Sequence, residues 1–279
     1  MKKNITRFLL FLIITILVIF VLSNFFNSNL QESLSIEDEY TIVRILPDGS
    51  VDPPINSIRK DGTVYTFADN FYGQIIVDAN DVVIDGDGFT LQGQYTGNRT
   101  DSWVVGQGPD QNTSSIPWTI GIDLARPILH NLTVKNLKIC NFYIGMYIWT
   151  SNNTLTQNSI SDSIVGILLS GDSNTMTKNT IANNEEGIFF GVNTPGNEPL
   201  NIVLNQNNFV DNVVQFSGCF CENYDPEEAI HTWDDGQRGN FWSDYQGIDN
   251  DDDGIGDTPY VIDILNQDRY PLMEPIIGR

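Results

Sequence analysis

Positive charge is what this sequence has least of. Against 36 Asp and Glu it sets 14 Lys and Arg, a formal charge of −22 at pH 7. A surface of that sign repels phosphate backbones and anionic membrane faces, so nucleic acid is excluded as a partner. Polyanionic sugars are repelled as well unless a divalent cation bridges them. Cysteine is scarce and odd in number: Cys140, Cys219 and Cys221 make no disulfide framework. Cys219-Phe220-Cys221 with His231 can be written as a soft-metal site, but the spacing matches no known ligand pattern. A buried cysteine serves as a small apolar residue. Helix-forming stretches are absent too: nothing between Gly145 and Asn212 is rich in Ala, Glu or Lys. That excludes the return leg of a leucine-rich repeat, which Leu155-x-x-Asn158-x-Ile160 otherwise partly imitates.

What is present is a period. Gly145-Met146-Tyr147-Ile148, Gly166-Ile167-Leu168-Leu169 and Gly187-Ile188-Phe189-Phe190 begin 21 residues apart. Val134, Leu155, Met176 and Leu204 keep the same phase, as do Ile139, Ile160, Ile181 and Phe209, with steps of 21, 21 and 28. The insertion Val192–Pro199 lengthens the last step. Within each repeat, apolar residues alternate with Thr, Ser or Asn, which is strand periodicity, and Gly or Asn fills the corners. A left-handed β-helix needs multiples of six. The pattern predicts an all-β, right-handed parallel β-helix in which each coil buries its apolar side chains against its neighbours. Asn158, Asn179 and Asn207 occupy equivalent places, where stacked amides form an internal ladder.

Flanking segments differ in character. Phe8 to Leu22 is a run of 15 apolar or Thr residues behind Lys2, Lys3 and Arg7. Residues 1–26 are a signal sequence or an N-terminal membrane anchor, placing the rest outside the cytoplasm. Residues 27–55 are acidic and aperiodic, a stalk. The helix is expected over 56–217, interrupted by a long loop at 94–118 with Tyr95, Trp103 and Trp118. Those rings either form a ligand-binding platform or tack the loop to the wall. Sequons stand at Asn98, Asn112, Asn131 and Asn152.

The C-terminal segment 218–279 is expected to cap the helix and contains the motif with the most specific chemistry. Asp249-Asn250-Asp251-Asp252-Asp253-Gly254-Ile255-Gly256-Asp257 has carboxylates at positions 1, 3, 5 and 9 and glycine at 6. Side chains of Asp249, Asp251, Asp253 and Asp257, with the Ile255 carbonyl, are expected to converge on one Ca2+. Tyr260 replaces the bidentate Glu of an EF-hand, so this is a compact extracellular-type loop; the bland alternative is a solvated acidic turn.

No catalytic row is visible. From Gly121 to Gln215 the basic residues are Arg126, His130, Lys135, Lys138 and Lys178, unaligned at the 21-residue step. The acidic residues there miss the register as well. Outside the coils, Glu227-Glu228 and Asp234-Asp235 are adjacent carboxylate pairs.

The coils at Gly145 and Gly166 share the form G-[IM]-x-[IL]-x-x-x-[SN]-N-T-x-T-x-N-x-I. They resemble the repeats of the NosD-like β-helix family, of the carbohydrate-binding and sugar-hydrolase type. Gly239 to Tyr245, Asp249 to Asp257, Thr258-Pro259-Tyr260 and Asp268 to Leu272 resemble the ending of exported archaeal and bacterial surface proteins. The resemblance spans about residues 56–275 and implies a right-handed β-helix outside the cytoplasm. The copper role in the family's name does not transfer, since four Met and two His form no cluster. The function expected from all this is non-catalytic binding of a polysaccharide or other cell-envelope component. The rivals are a polysaccharide-active enzyme, using the loop and Asp234-Asp235, and a structural spacer. The glycan and the oligomeric state are not legible in the sequence.

Overall fold

The computed structural model describes residues 39–96, 119–126, 128–191, 199–218 and 230–277. The regular elements there are all strands, and successive coils pair in parallel. Each coil contributes one strand to each of three walls. Thr154–Thr156, Ser159–Ser161 and Val165–Leu169 make one coil; Thr175–Thr177, Thr180–Ala182 and Glu186–Phe190 make the next. This is a parallel β-helix.

The apolar columns follow the 21-residue step. Val134, Leu155, Met176 and Leu204 are in register in the second wall. Ile139, Ile160, Ile181 and Phe209 are in register in the third. All eight are buried in one core. At about 4.8 Å per coil, each side chain sits directly on its equivalent, so a residue spacing of 21 becomes a van der Waals contact.

Glycine marks a close approach in the first wall. The pairing of Ile144 with Val165 and Met146 with Ile167 places Gly145 beside Gly166. A Cβ on Gly145 would lie 2.6 Å from the Gly166 carbonyl oxygen, and one on Gly166 would lie 2.6 Å from that of Gly187. Any larger residue would push successive coils apart. The same position reverses the facing of the strand: Met146 and Ile148 point into the main core, while Ile144 and Tyr147 belong to a separate outer cluster.

The corners are held by stacked amides, as expected at Asn158. Asn158 Nδ2 donates to Asn179 Oδ1 (3.0 Å), Asn179 Nδ2 to Asn207 Oδ1 (3.0 Å), and Asn207 Nδ2 to Asn240 Oδ1 (3.0 Å). Each Oδ1 also accepts the backbone N–H one coil back. The ladder ends on Asp268, whose Oδ2 accepts Asn240 Nδ2, the Asn240 N–H and Trp242 Nε1. Two further ladders were not foreseen. Asn153 and Asn174 hold one corner; Ser163, Asn184 and Asn212 hold another. Each removes buried backbone donors from the unsatisfied state.

Both open ends of the core are covered. At the C-terminal end, Trp242 stacks on Phe209 at 4.2 Å and Tyr260 stacks on Trp242 at 4.2 Å. At the other end, the assignment of residues 27–55 to a stalk needs correction over 39–55, residues 27–38 lying outside those described. Thr41–Ile45 pairs in parallel with Phe71–Val77, and Val51–Asp52 folds back on it. Val43 and Ile45 are fully buried. The alternation Ile42-Val43-Arg44-Ile45 was a strand signal hidden among acidic neighbours. Together with the Ile58–Asp61/Val64–Phe67 hairpin, this pair occupies an edge that would otherwise template aggregation. The apolar run Phe8–Leu22 lies outside the described residues. Among those described, no helix is long and apolar enough to cross a membrane.

Candidate functional site

Three places bring chemistry-bearing side chains together. The first is the outer face of the first wall. Asp123, Tyr147, Leu168 and Phe189 form one outward column, continued by Ser217. Tyr147 stacks with Trp149 at 6.3 Å between ring centres, and both are half-buried. Tyr95, Tyr143, Ile144, Ile164 and Val165 pack beside them as an apolar layer distinct from the core. Tyr95 is 7% exposed, so its ring is part of the wall and not an open stacking surface. Trp103 and Trp118 lie outside the described residues. The aromatic pair Tyr147 and Trp149 was missed because it sits within the repeat, where every large residue reads as core. Gly145, where the facing of the strand reverses, is the signal that Tyr147 turns outward.

Two carboxylates lie on this face. Burial raises the Asp123 carboxyl above its ordinary range, and burial likewise raises Glu186, whose Oε2 accepts the Ser217 hydroxyl at 2.5 Å. Tyr147 is also raised, by burial first and the Asp123 charge second. The Asp123 column reaches the strand of Glu186 three coils later, roughly 14 Å at the strand spacing. Paired glycosidase carboxylates stand about 5 to 9.5 Å apart, so these two do not make such a pair.

The second place is Asp234-Asp235, the adjacent pair considered for catalysis. Asp234 is 4% exposed and receives the Arg269 Nε (2.9 Å), Nη2 and backbone N–H. Asp235 Oδ1 accepts the N–H groups of Gln237 and Arg238, and its Oδ2 accepts Gln206 Nε2. The Arg269 bonds lower Asp234 against its burial, and the backbone bonds lower Asp235. Both are therefore held ionised in structural roles, and a general acid must be protonated. Glu227 and Glu228 lie outside the described residues.

The third place is the acidic loop. Carboxylate oxygens of Asp249, Asp251 and Asp253 lie within 4.8 Å of one another. Asp249 accepts the Gly254 N–H (2.8 Å) and Asp253 N–H (3.3 Å), and Gly254 has φ 85° and Asp252 φ 59°. Repulsion from Asp253 raises the Asp251 carboxyl, whereas the Gly254 N–H lowers Asp249. Asp257 is not within that distance of all three, but its charge adds to the repulsion on Asp251, and its Oδ2 accepts the Asn250 N–H and side-chain amide. Ile255 donates its N–H to Asp253 Oδ1 and bridges to Leu272, which ties the loop to the segment covering the last coil.

Other candidates resolve simply. Cys140 is a free, half-buried thiol raised by burial; Cys219 and Cys221 lie outside the described residues. Asn131 and Asn152 occupy exposed left-handed turn positions, φ 59° each. Asn98 and Asn112 are outside the described residues. His231 packs edge-on to Phe190 and near Trp233, and desolvation pushes its imidazole down to about 4.

This last shift has a measurable consequence. The folded-state value lies below the unfolded value near 6.5, so the contribution is fully present above pH 6.5. It is lost as pH falls from 6.5 toward 4, because the unfolded chain takes up the proton first. Asp123, Glu186 and Asp268, all raised by burial, act with opposite sign. A comparison with His231→Gln isolates the imidazole: the parent's melting temperature should fall more between pH 7 and 5 than the variant's. Equal falls would show that His231 does not titrate between the two states.

Residues 110–247 match the model of the family described as Periplasmic copper-binding protein (NosD). No curated protein and no solved structure matches the chain. The matched residues include the coils with the 21-residue step, and the match and the parallel coils agree with the expected NosD-like β-helix family. The family's periplasmic description agrees with an extracytoplasmic location. Its copper is a different matter: among the described residues, the Met and His side chains do not gather around one ion. Met146 and Met176 are buried in the core, His231 is packed among aromatic rings, and His130 lies on an exposed turn. Among the described residues, the acidic trio is the group of His, Cys, Asp or Glu side chains close enough to share an ion. Its hard oxygens suit calcium or magnesium, not copper.

Proposed function

Taking the chain as a NosD-like parallel β-helix outside the cytoplasm, we propose that it is a non-catalytic binding protein for glycan or another cell-envelope component. The observation that supports this reading is the half-exposed Tyr147–Trp149 pair on the outer face of the first wall, beside Asp123. Aromatic rings present a flat apolar face with polar groups at the edge, which matches the apolar face of a sugar ring and its equatorial hydroxyls. A rigid β-helix holds that face without an ordering cost on binding. The separation of Asp123 from Glu186 and the structural roles of Asp234 and Asp235 favour binding over hydrolysis. In the same reading, Asp249, Asp251 and Asp253 hold a Ca2+ that secures the segment over the last coil.

A glycan array combined with a reducing-sugar assay on the purified protein tests the proposal. Binding without product release is expected, weakened by Trp149→Ala. Release of reducing ends from any polysaccharide would establish an enzyme, and silence in both assays would leave a structural spacer.

A further inference from the structure

A groove of about 660 Å³ lies away from the aromatic face, along the corner between the second and third walls. Two columns line it. Asn136, Gln157 and Lys178 hold equivalent left-handed turn positions in successive coils, φ 54°, 58° and 59°. Lys138, Ser159 and Thr180 are in register beside them. The C-terminal tail closes one side. Ile276 donates its N–H to Asn208 Oδ1 (2.8 Å), and its carbonyl accepts Asn208 Nδ2 (2.8 Å). Asn208 follows Thr180 in the column, so the tail is pinned just beyond Thr180 with Ile277 on the groove's lining.

The lysines distinguish this concavity from an incidental gap. Arg44, Arg126, Lys135 and Arg269 each pair with an aspartate. Arg59, Lys60 and Arg238 form no salt bridge among the described residues, nor do the exposed Lys138 and Lys178, but these last two share one concave lining. Asp87 is the acidic group on the lining. The two lysines therefore form a local positive site in a field of opposite sign. Their backbone positions are two coils apart, about 10 Å at the strand spacing. Between them lie the Gln157 amide and the Ser159 hydroxyl, neutral groups suited to hydroxyls.

We infer that this groove binds a carboxylated oligosaccharide, Lys138 and Lys178 meeting carboxylates on non-adjacent sugar units while Gln157 and Ser159 bond hydroxyls between them. The inference rests on the glycan-binding reading and narrows it to a class and a place. It also amends the exclusion of polyanionic sugars drawn from net charge. Distant repulsion is screened beyond about 8 Å at physiological salt, whereas a contact ion pair acts within that length.

Calorimetry on the whole protein decides it, with chelator present so that no cation bridges the ligand to the acidic loop. The probes are a hexamer of galacturonic acid, a neutral galactose hexamer and a sulfated galactose hexamer. The uronate hexamer should bind most tightly, and Lys138→Glu with Lys178→Glu should weaken it by about tenfold or more, as loss of two charge-assisted contacts does. Both sites are exposed, so the melting temperature should hold. Glycan binding that ignores the double variant, or that favours the neutral or sulfated hexamer, overturns the inference and leaves the broader reading intact. If no glycan binds here or on the array, both fall.

Discussion

Replacing Asn207 by alanine should unfold this protein at a temperature several degrees below the parent. The Asn207 side chain receives the Asn179 N–H and the Asn179 side-chain amide, and donates to the Met176 carbonyl and Asn240 Oδ1. It is fully buried, so no water replaces these partners. The Asn179 N–H would be left unsatisfied, at about 1 to 3 kcal/mol, and the side-chain amides of Asn179 and Asn240 would each lose a partner. A domain of this size loses about 2 to 4 °C per kcal/mol. The control is Lys178→Ala, one residue from Asn179 but exposed, where a change within about 0.5 kcal/mol is expected. Thermal melts of the two variants suffice. If both melt alike, the amide column is incidental to stability and the coils are held by their apolar columns alone.

The second large effect expected is from calcium. Asp249, Asp251 and Asp253 are gathered while mutually repelling, as the raised Asp251 carboxyl records. A divalent cation would neutralise that repulsion. At a concentration of about 100 times its dissociation constant it would stabilise the fold by about 2.7 kcal/mol. Melting in calcium against chelator should differ by several degrees, and Asp251→Asn should abolish most of the difference. The effect should fade with acid, as protons and the cation compete for the raised Asp251 carboxyl. No binding heat and no shift on adding calcium would sink the site. Asp257→Asn should also loosen the loop, since its carboxylate accepts the Asn250 N–H and side-chain amide.

How much of this was legible depends on whether a contact repeats. In a solenoid, a residue meets the one a single coil away, so sequence spacing is translated directly into neighbourhood. The columns through Ile160 and Leu155, the glycine row and the Asn158–Asn179–Asn207 ladder were readable for that reason. So was the all-β class, because alternation and corner residues recur in each coil. The strand at Thr41–Ile45 escaped, since it occurs once and has no periodic partner.

Everything decided by single, non-repeating contacts needed the tertiary structure. The ladder runs on from Asn207 to Asn240 and Asp268 by steps of 33 and 28 residues, lengths that no period announces. Arg269 claims Asp234 from 35 residues away, turning a candidate acid into a fastening. Tyr95 looked available in the sequence and proved buried, because it joins an outer apolar cluster whose other members come from later coils. Lys138 and Lys178 looked unaligned at a 21-residue step, yet share a groove because adjacent columns face the same corner. The sequence by itself determined the coil, whose energy is local in the repeated sense; the sites depend on which unrelated columns and tails the folded chain lays side by side.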